Sequence, residues 1–191
     1  DLFQRLVKYD LIFSPQKKSS IMFHKFLNKY NKKKSLINTP TIYEVGYPKL
    51  DYLRRKKIKR NLNEKIIVIA PTDYRHVQKL SIYNELDNII DLILKKTNYK
   101  IYLRPYPANL KSEKILRLIT KYSDIERFNI DKSNDYIDVY SKSRYLLTDI
   151  SGTAITYSYF TNRKVIFYSR NEKLVRKIFY KDNSYFKDRN R

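Results

Sequence analysis

Cysteine is absent from the 191 residues, and histidine occurs only at His24 and His76. Without cysteine there is neither a disulfide framework nor a thiolate metal site. Two histidines do not make a zinc cluster, so no metal and no resident cofactor is expected. Glycine is equally scarce, at Gly46 and Gly152 alone, and tryptophan is missing. No apolar run is long enough to span a bilayer, and no signal peptide is visible. The first residue is Asp rather than Met, so the sequence is expected to be a piece of a longer chain.

Positive charge is what the chain has in excess. Lys and Arg total 41 against 19 Asp and Glu, a formal net charge of +22. Such a balance attracts polyanions: nucleic acid, an anionic membrane face or a phosphate-rich polymer. The charge is dense only at Lys32 to Lys34 and Arg54 to Arg60. Much of the remainder reads equally well as solvated surface in a chain biased toward Lys, Asn, Ile and Tyr. Hydrophobic residues make up 42% and aromatics 15%, which argues against wholesale disorder. The aromatics fall mostly at strand and helix core spacing, so nucleic acid is not the expected partner.

The apolar runs "DLIFS", "TIYEV", "KIIVIAP", "KIYLRP", "RYLLTDI" and "KVIFYS" read as strands. The clearest are continuous rather than alternating, as in parallel strands covered on both faces. Helical stripes lie between them. Ile82, Leu86, Ile89, Ile90 and Ile93 recur at spacings of three and four. Ile115, Leu118 and Ile119 repeat the pattern behind a Ser112 cap. A further helix is expected over "SNDYIDVYSKS" with Ser133 or Asn134 as its cap, another in "SGTAITYSYF", and a last one in "NEKLVRKIFY". His24, in an apolar helical pattern, is expected to pack. With a short strand at "ERFNI", the order from Lys65 alternates strand and helix. That order predicts an α/β fold with a doubly wound, mainly parallel Rossmann-like sheet and helices on both faces. Its central strands should include Ile66–Ala70, Ile101–Arg104 and Tyr145–Thr148. Residues 61–182 are expected to form that domain, residues 1–60 to be a segment with strands and helices that serves as a linker or packs on a neighbour, and residues 183–191 to be a basic tail.

Open α/β sheets bind ligands at the carboxyl ends of their strands. The strand ends carry Gly46 in "EVGYPKLDYL", Thr72, Arg75 and His76 in "VIAPTDYRH", Arg104 and Tyr106 in "YLRPYP", and Asp149, Ser151, Gly152 and Thr153 in "LLTDISGTA". The last has the clearest mechanism. A helix starting within Ser151 to Thr153 presents free N–H groups to an anion, and glycine lets a phosphate approach the backbone. The same residues also suit a plain N-cap and tight turn.

In this order the motifs "GYPKLDYL", "IVIAPTDYRH", "YLRPYP" and "LLTDISGTAITYSYFTNRKVIFYS" resemble the CDP-glycerol glycerophosphotransferase family, the teichoic-acid polymerase-like enzymes. The resemblance covers about residues 9–170. It implies the C-terminal, donor-binding half of a GT-B fold. It also implies transfer of a polyol phosphate from a CDP-linked donor to a polyol-phosphate or saccharide acceptor, with release of CMP. Gly46, Thr72, Arg75, His76, Arg104, Tyr106, Asp149, Ser151, Gly152 and Thr153 would line the donor site. Location would be cytoplasmic, peripheral on the anionic inner membrane face. Two positions depart from the family pattern. The histidine that precedes a proline is here Tyr106, which donates a hydrogen bond but is no cation at neutral pH. The aspartate that follows the family's serine pair is here Thr156 or Tyr157. The other family histidine is expected in an N-terminal half outside this sequence. A second reading of the same residues is a non-catalytic polyanion- or nucleic-acid-binding α/β domain.

Overall fold

The computed structural model describes residues 6–31, 39–55, 65–75 and 78–179. The chain divides into two compact units, Asp1–Lys56 and Lys57–Arg191.

The first unit holds strands β1 (Leu11–Ser14) and β2 (Thr41–Glu44) and helices α1 (Lys17–Asn31) and α2 (Pro48–Arg55). The two strands pair in parallel, Leu11 opposite Thr41 and Phe13 opposite Tyr43. Alternation puts Ile12 and Ser14 inside, while Leu11, Phe13 and Tyr43 stay exposed on the other face. His24 lies on the exposed side of α1, not in the packing expected of it, because Leu27 carries the buried stripe there.

The second unit contains strands β3 (Ile66–Ala70), β4 (Lys100–Leu103), β5 (Phe128–Ile130), β6 (Tyr145–Thr148) and β7 (Val165–Phe167). They form one sheet in the order β5-β4-β3-β6-β7, and every pairing is parallel. Every residue of β3 is buried, as its unbroken apolar sequence requires of a central strand covered on both faces. The sheet is the expected doubly wound α/β arrangement, with β4, β3 and β6 at its centre.

Helices α3 (Leu86–Lys96), α4 (Glu113–Lys121), α5 (Ile137–Lys142), α6 (Thr153–Thr161) and α7 (Glu172–Phe179) complete the unit. On one face Ile67, Ile69, Ile101, Leu103, Phe128 and Leu147 pack against Leu86, Ile89, Ile90, Ile115 and Leu118 of α3 and α4. Each such Leu or Ile contributes about 1.5–3 kcal/mol by leaving water. No α5 or α6 residue joins that cluster of described residues. These helices pack on β3, β6 and β7, where the alternate residues Val68 and Leu146 are buried. The Ser112 hydroxyl caps α4, accepting from the Ile115 N–H. By contrast α5 starts later than its sequence suggests. The Asp135 carboxylate takes the Ile137 N–H, whereas Ser133 Oγ donates to Asp131 and to the Asp135 carbonyl.

Candidate functional site

Strand order places the crossover point between β3 and β6. From β3 the chain moves outward through β4 and β5, then returns to β6 and continues to β7. The loops that follow β3 and β6 therefore diverge, which opens a crevice beyond the strand ends.

Asp149, the first residue after β6, sits in that crevice and is 2% exposed. Its carboxylate accepts the Thr72 N–H at 3.1 and 3.2 Å and the Ile82 N–H at 3.0 Å. One side chain thereby fixes both ends of the loop after β3. Burial pushes its carboxyl above the usual aspartate range, and the donated N–H groups only partly oppose this. Beside it, Thr148 Oγ1 donates to the Ala70 carbonyl.

The loop after β3 is tied in turn to the loop after β4. Asp73, also buried, accepts from Arg75 Nε at 3.1 Å and Nη2 at 2.8 Å. With its amide turned to satisfy both neighbours, buried Asn109 donates to Asp73 at 3.3 Å and accepts the Tyr74 N–H at 3.2 Å. Tyr74 stacks on Tyr83 at 4.7 Å, and the Tyr83 hydroxyl meets Ser112 Oγ. Arg75 remains 58% exposed. Its hydrogen bond to Asp73 raises its already high pKa further.

Arg104, at the end of β4, is directed toward β5. Its Nη1 donates to Asp131 and to Ser133 Oγ, and the guanidinium lies 6.0 Å from the Tyr136 ring. Its side chain is 15% exposed. Tyr106 in the same loop is 46% exposed.

The segment after Asp149 begins α6 without a capping side chain at its first position. The Thr153 N–H reaches back to Ser151 Oγ at 3.4 Å. Tyr140 of α5 meets Thr153 Oγ1 at 2.5 Å, and burial pushes the Tyr140 phenol up. Gly152 has φ −62° and ψ −13°. That is ordinary right-handed helix, open to any residue. A side chain there would meet nothing within 4 Å, so space rather than backbone freedom is the notable property. Gly46 differs. It follows β2 in the first unit with φ +76°, a conformation that disfavours other residues.

Of the residues expected at the site, Thr72, Arg75 and Asp149 belong to one bonded loop system. Arg104, Tyr106, Ser151, Gly152 and Thr153 lie on the same strand-end rim. His76 falls outside the described residues, and Gly46 belongs to the other unit. The rim also uses Asn109, Asp131 and Tyr140, which were not anticipated. Asp131 stood at the end of an expected strand like the others. Asn109 and Tyr140 carry no local signal, because their partners are distant in sequence. Among the described residues no cluster of His, Asp or Glu is placed to hold a metal ion, and no helix is long and apolar enough to cross a membrane.

A family model described as CDP-Glycerol:Poly(glycerophosphate) glycerophosphotransferase matches residues 2–182. No curated protein matches. Among solved structures, the wall teichoic acid polymerase TagF is similar with a TM-score of 0.51 and 24% identity over 92% of this chain. A histidine-to-asparagine variant of that enzyme aligns with a TM-score of 0.55 and 21% identity over 95% of this chain. At these identities the likeness is one of fold. The chain spans less than half of either structure's length, 43% and 45%.

Proposed function

The chain belongs to the CDP-glycerol:poly(glycerophosphate) glycerophosphotransferase family, and from that premise we propose that it supplies the donor-binding side of a glycerol phosphate transfer. Residues 61–182 are the donor domain of a GT-B-type enzyme, and residues 1–60 pack on a further N-terminal half. The donor is CDP-linked, and the acceptor is a polyol-phosphate or saccharide chain of the cell surface.

The observation that carries this reading is Asp149 at the crossover point, buried and bonded to Thr72 and Ile82. It fixes both ends of the loop after β3 beside the segment that leads into α6. The first N–H groups of that helix, with Ser151 and Thr153, would receive the donor diphosphate. The open space in front of Gly152 leaves room for it. Arg75, exposed and oriented by Asp73, adds charge complementary to the phosphates. Arg104 adds positive field from its bonded position. Tyr106, exposed in the loop after β4, completes the lining.

In the reaction an acceptor hydroxyl oxygen attacks the glycerol-bearing phosphorus. The bond from that phosphorus to the bridging oxygen breaks, and CMP departs with the electron pair. The same positive groups stabilise the charge that grows on CMP. Tyr106 can hydrogen-bond there but supplies no imidazolium to protonate the departing group, and the acceptor proton passes to a base elsewhere in the whole enzyme. The net charge of +22 would hold the protein against an anionic membrane on its cytoplasmic face.

Calorimetric titration with CDP-glycerol at two salt concentrations tests the donor site. Wild type should bind, less tightly at higher salt. Ser151→Ala should weaken binding and Gly152→Val, which fills the open approach, should abolish it. Equal affinity in all three proteins would contradict the reading.

A further inference from the structure

A second concavity lies on the other side of the Asp149 strap. It is a cleft of about 300 Å³ between the loop after β3 and the loop after β7. Its walls include Tyr74 and Tyr168, and both rings rest on the α3–α4 side of the sheet. The start of α6 belongs to the α5–α6 side, so the cleft is not the donor turn. The two are nonetheless close in bonding terms. Ile82 lines the cleft and its N–H is the one that Asp149 accepts at 3.0 Å.

The polar groups of the cleft have a definite character. Lys79 is exposed and makes no hydrogen bond or ion pair among the described residues. Arg170 reaches across to Glu85 at 2.9 Å, with Glu85 18% exposed. Asn84 also lines this space. Two cations and one carboxylate leave a single positive charge in excess. That combination suits a ligand with one phosphate per unit and hydroxyls beside it. The cations take the phosphate oxygens, and the carboxylate and amide take hydroxyl protons. A diphosphate would meet the Glu85 carboxylate without enough compensating charge.

We propose that this cleft is the acceptor subsite, which holds a glycerol phosphodiester unit of the growing polymer while the donor occupies the rim at Ser151–Thr153. The assignment rests on the donor reading above. A ribose monophosphate shares the same chemistry, so the donor's own CMP portion is the competing source. Lys79 and Arg170 act as binding residues here, and Ile82 joins the cleft wall to the strap that Asp149 fixes.

The test uses the full chain with a synthetic glycerol phosphodiester oligomer, CMP and CDP-glycerol as separate titrants. The oligomer should bind wild type, and Lys79→Ala should weaken it about fivefold. Arg170→Ala should do the same. Lys96→Ala, a lysine at the far end of α3, should leave oligomer binding unchanged, and Lys79→Ala should leave CDP-glycerol affinity unchanged. Equal losses in Lys79→Ala and Lys96→Ala would reduce the effect to general attraction and overturn the subsite. Competitive displacement of the oligomer by CMP would assign the cleft to the donor instead and overturn it as well. If CDP-glycerol binds at the rim while the oligomer ignores Lys79, this inference fails alone. If CDP-glycerol does not bind at all, the donor reading fails first.

Discussion

The two ends of the five-stranded sheet use charge in opposite ways. At the N-terminal ends of the strands, arginines finish helices. Arg127 donates to the carbonyls of Leu94, Thr97 and Tyr99 at the C-terminal end of α3. Arg163 donates to those of Tyr140, Ser141 and Ser143 at the C-terminal end of α5. Each meets the negative end of a helix, where a cation satisfies orphan carbonyls and the macrodipole together. At the C-terminal ends the pattern inverts. Asp73 and Asp149, the buried carboxylates among the described residues, accept N–H groups from loops. One end closes elements that are already complete, and the other holds loops in place around a space. A buried carboxylate that pins loops costs desolvation, which apolar packing would have avoided.

The sharpest way to break this contrast is Asp149→Ala. It strands the buried N–H groups of Thr72 and Ile82, so stability should fall by about 3 kcal/mol in urea unfolding, and CDP-glycerol binding should vanish with it. Asp149→Asn refines the same point through pH. The folded-state pKa of Asp149 is raised by burial. Its contribution is thus fully present below the unfolded value of about 3.9 and is lost as pH rises through the folded value. Wild type should lose stability relative to Asp149→Asn across that window. A flat difference would remove the burial argument.

Arg127→Ala addresses the opposite end. It frees three carbonyls that are only partly buried, so the loss should be about 1–2 kcal/mol, with CDP-glycerol affinity unchanged. A loss of affinity would erase the distinction between the two ends. The smallest effects belong to the glycines. Gly46→Ala forces an L side chain into positive φ and should cost about 1 kcal/mol. Gly152→Ala keeps helical backbone and open space and should change stability by less than about 0.5 kcal/mol. Thermal or urea unfolding of both variants measures the pair.

The sheet was readable in advance because parallel strands buried on both faces are apolar without interruption. Ile66–Ala70 and Tyr145–Thr148 announce themselves in that way. The strand-end loops were readable for the same reason, since each follows such a run. What could not be read was how the loops are joined. Asn109 finds Asp73, and Tyr140 finds Thr153, only once the sheet has brought them together. Gly152 has helical φ and open space before it, so its sequence alone did not say whether the backbone or the space is what matters there. His24 misled because an apolar helical neighbourhood does not say which side of α1 turns inward.

Hydrogen exchange of the full chain, with and without CDP-glycerol, tests the central claim most directly because it reads both ends of the sheet in one experiment. New protection is expected at the amides of residues 72–75, 104, 106 and 151–154, and none at residues 97–100 or 144. Protection at the N-terminal ends, or none at the C-terminal ends under saturating donor, would contradict it.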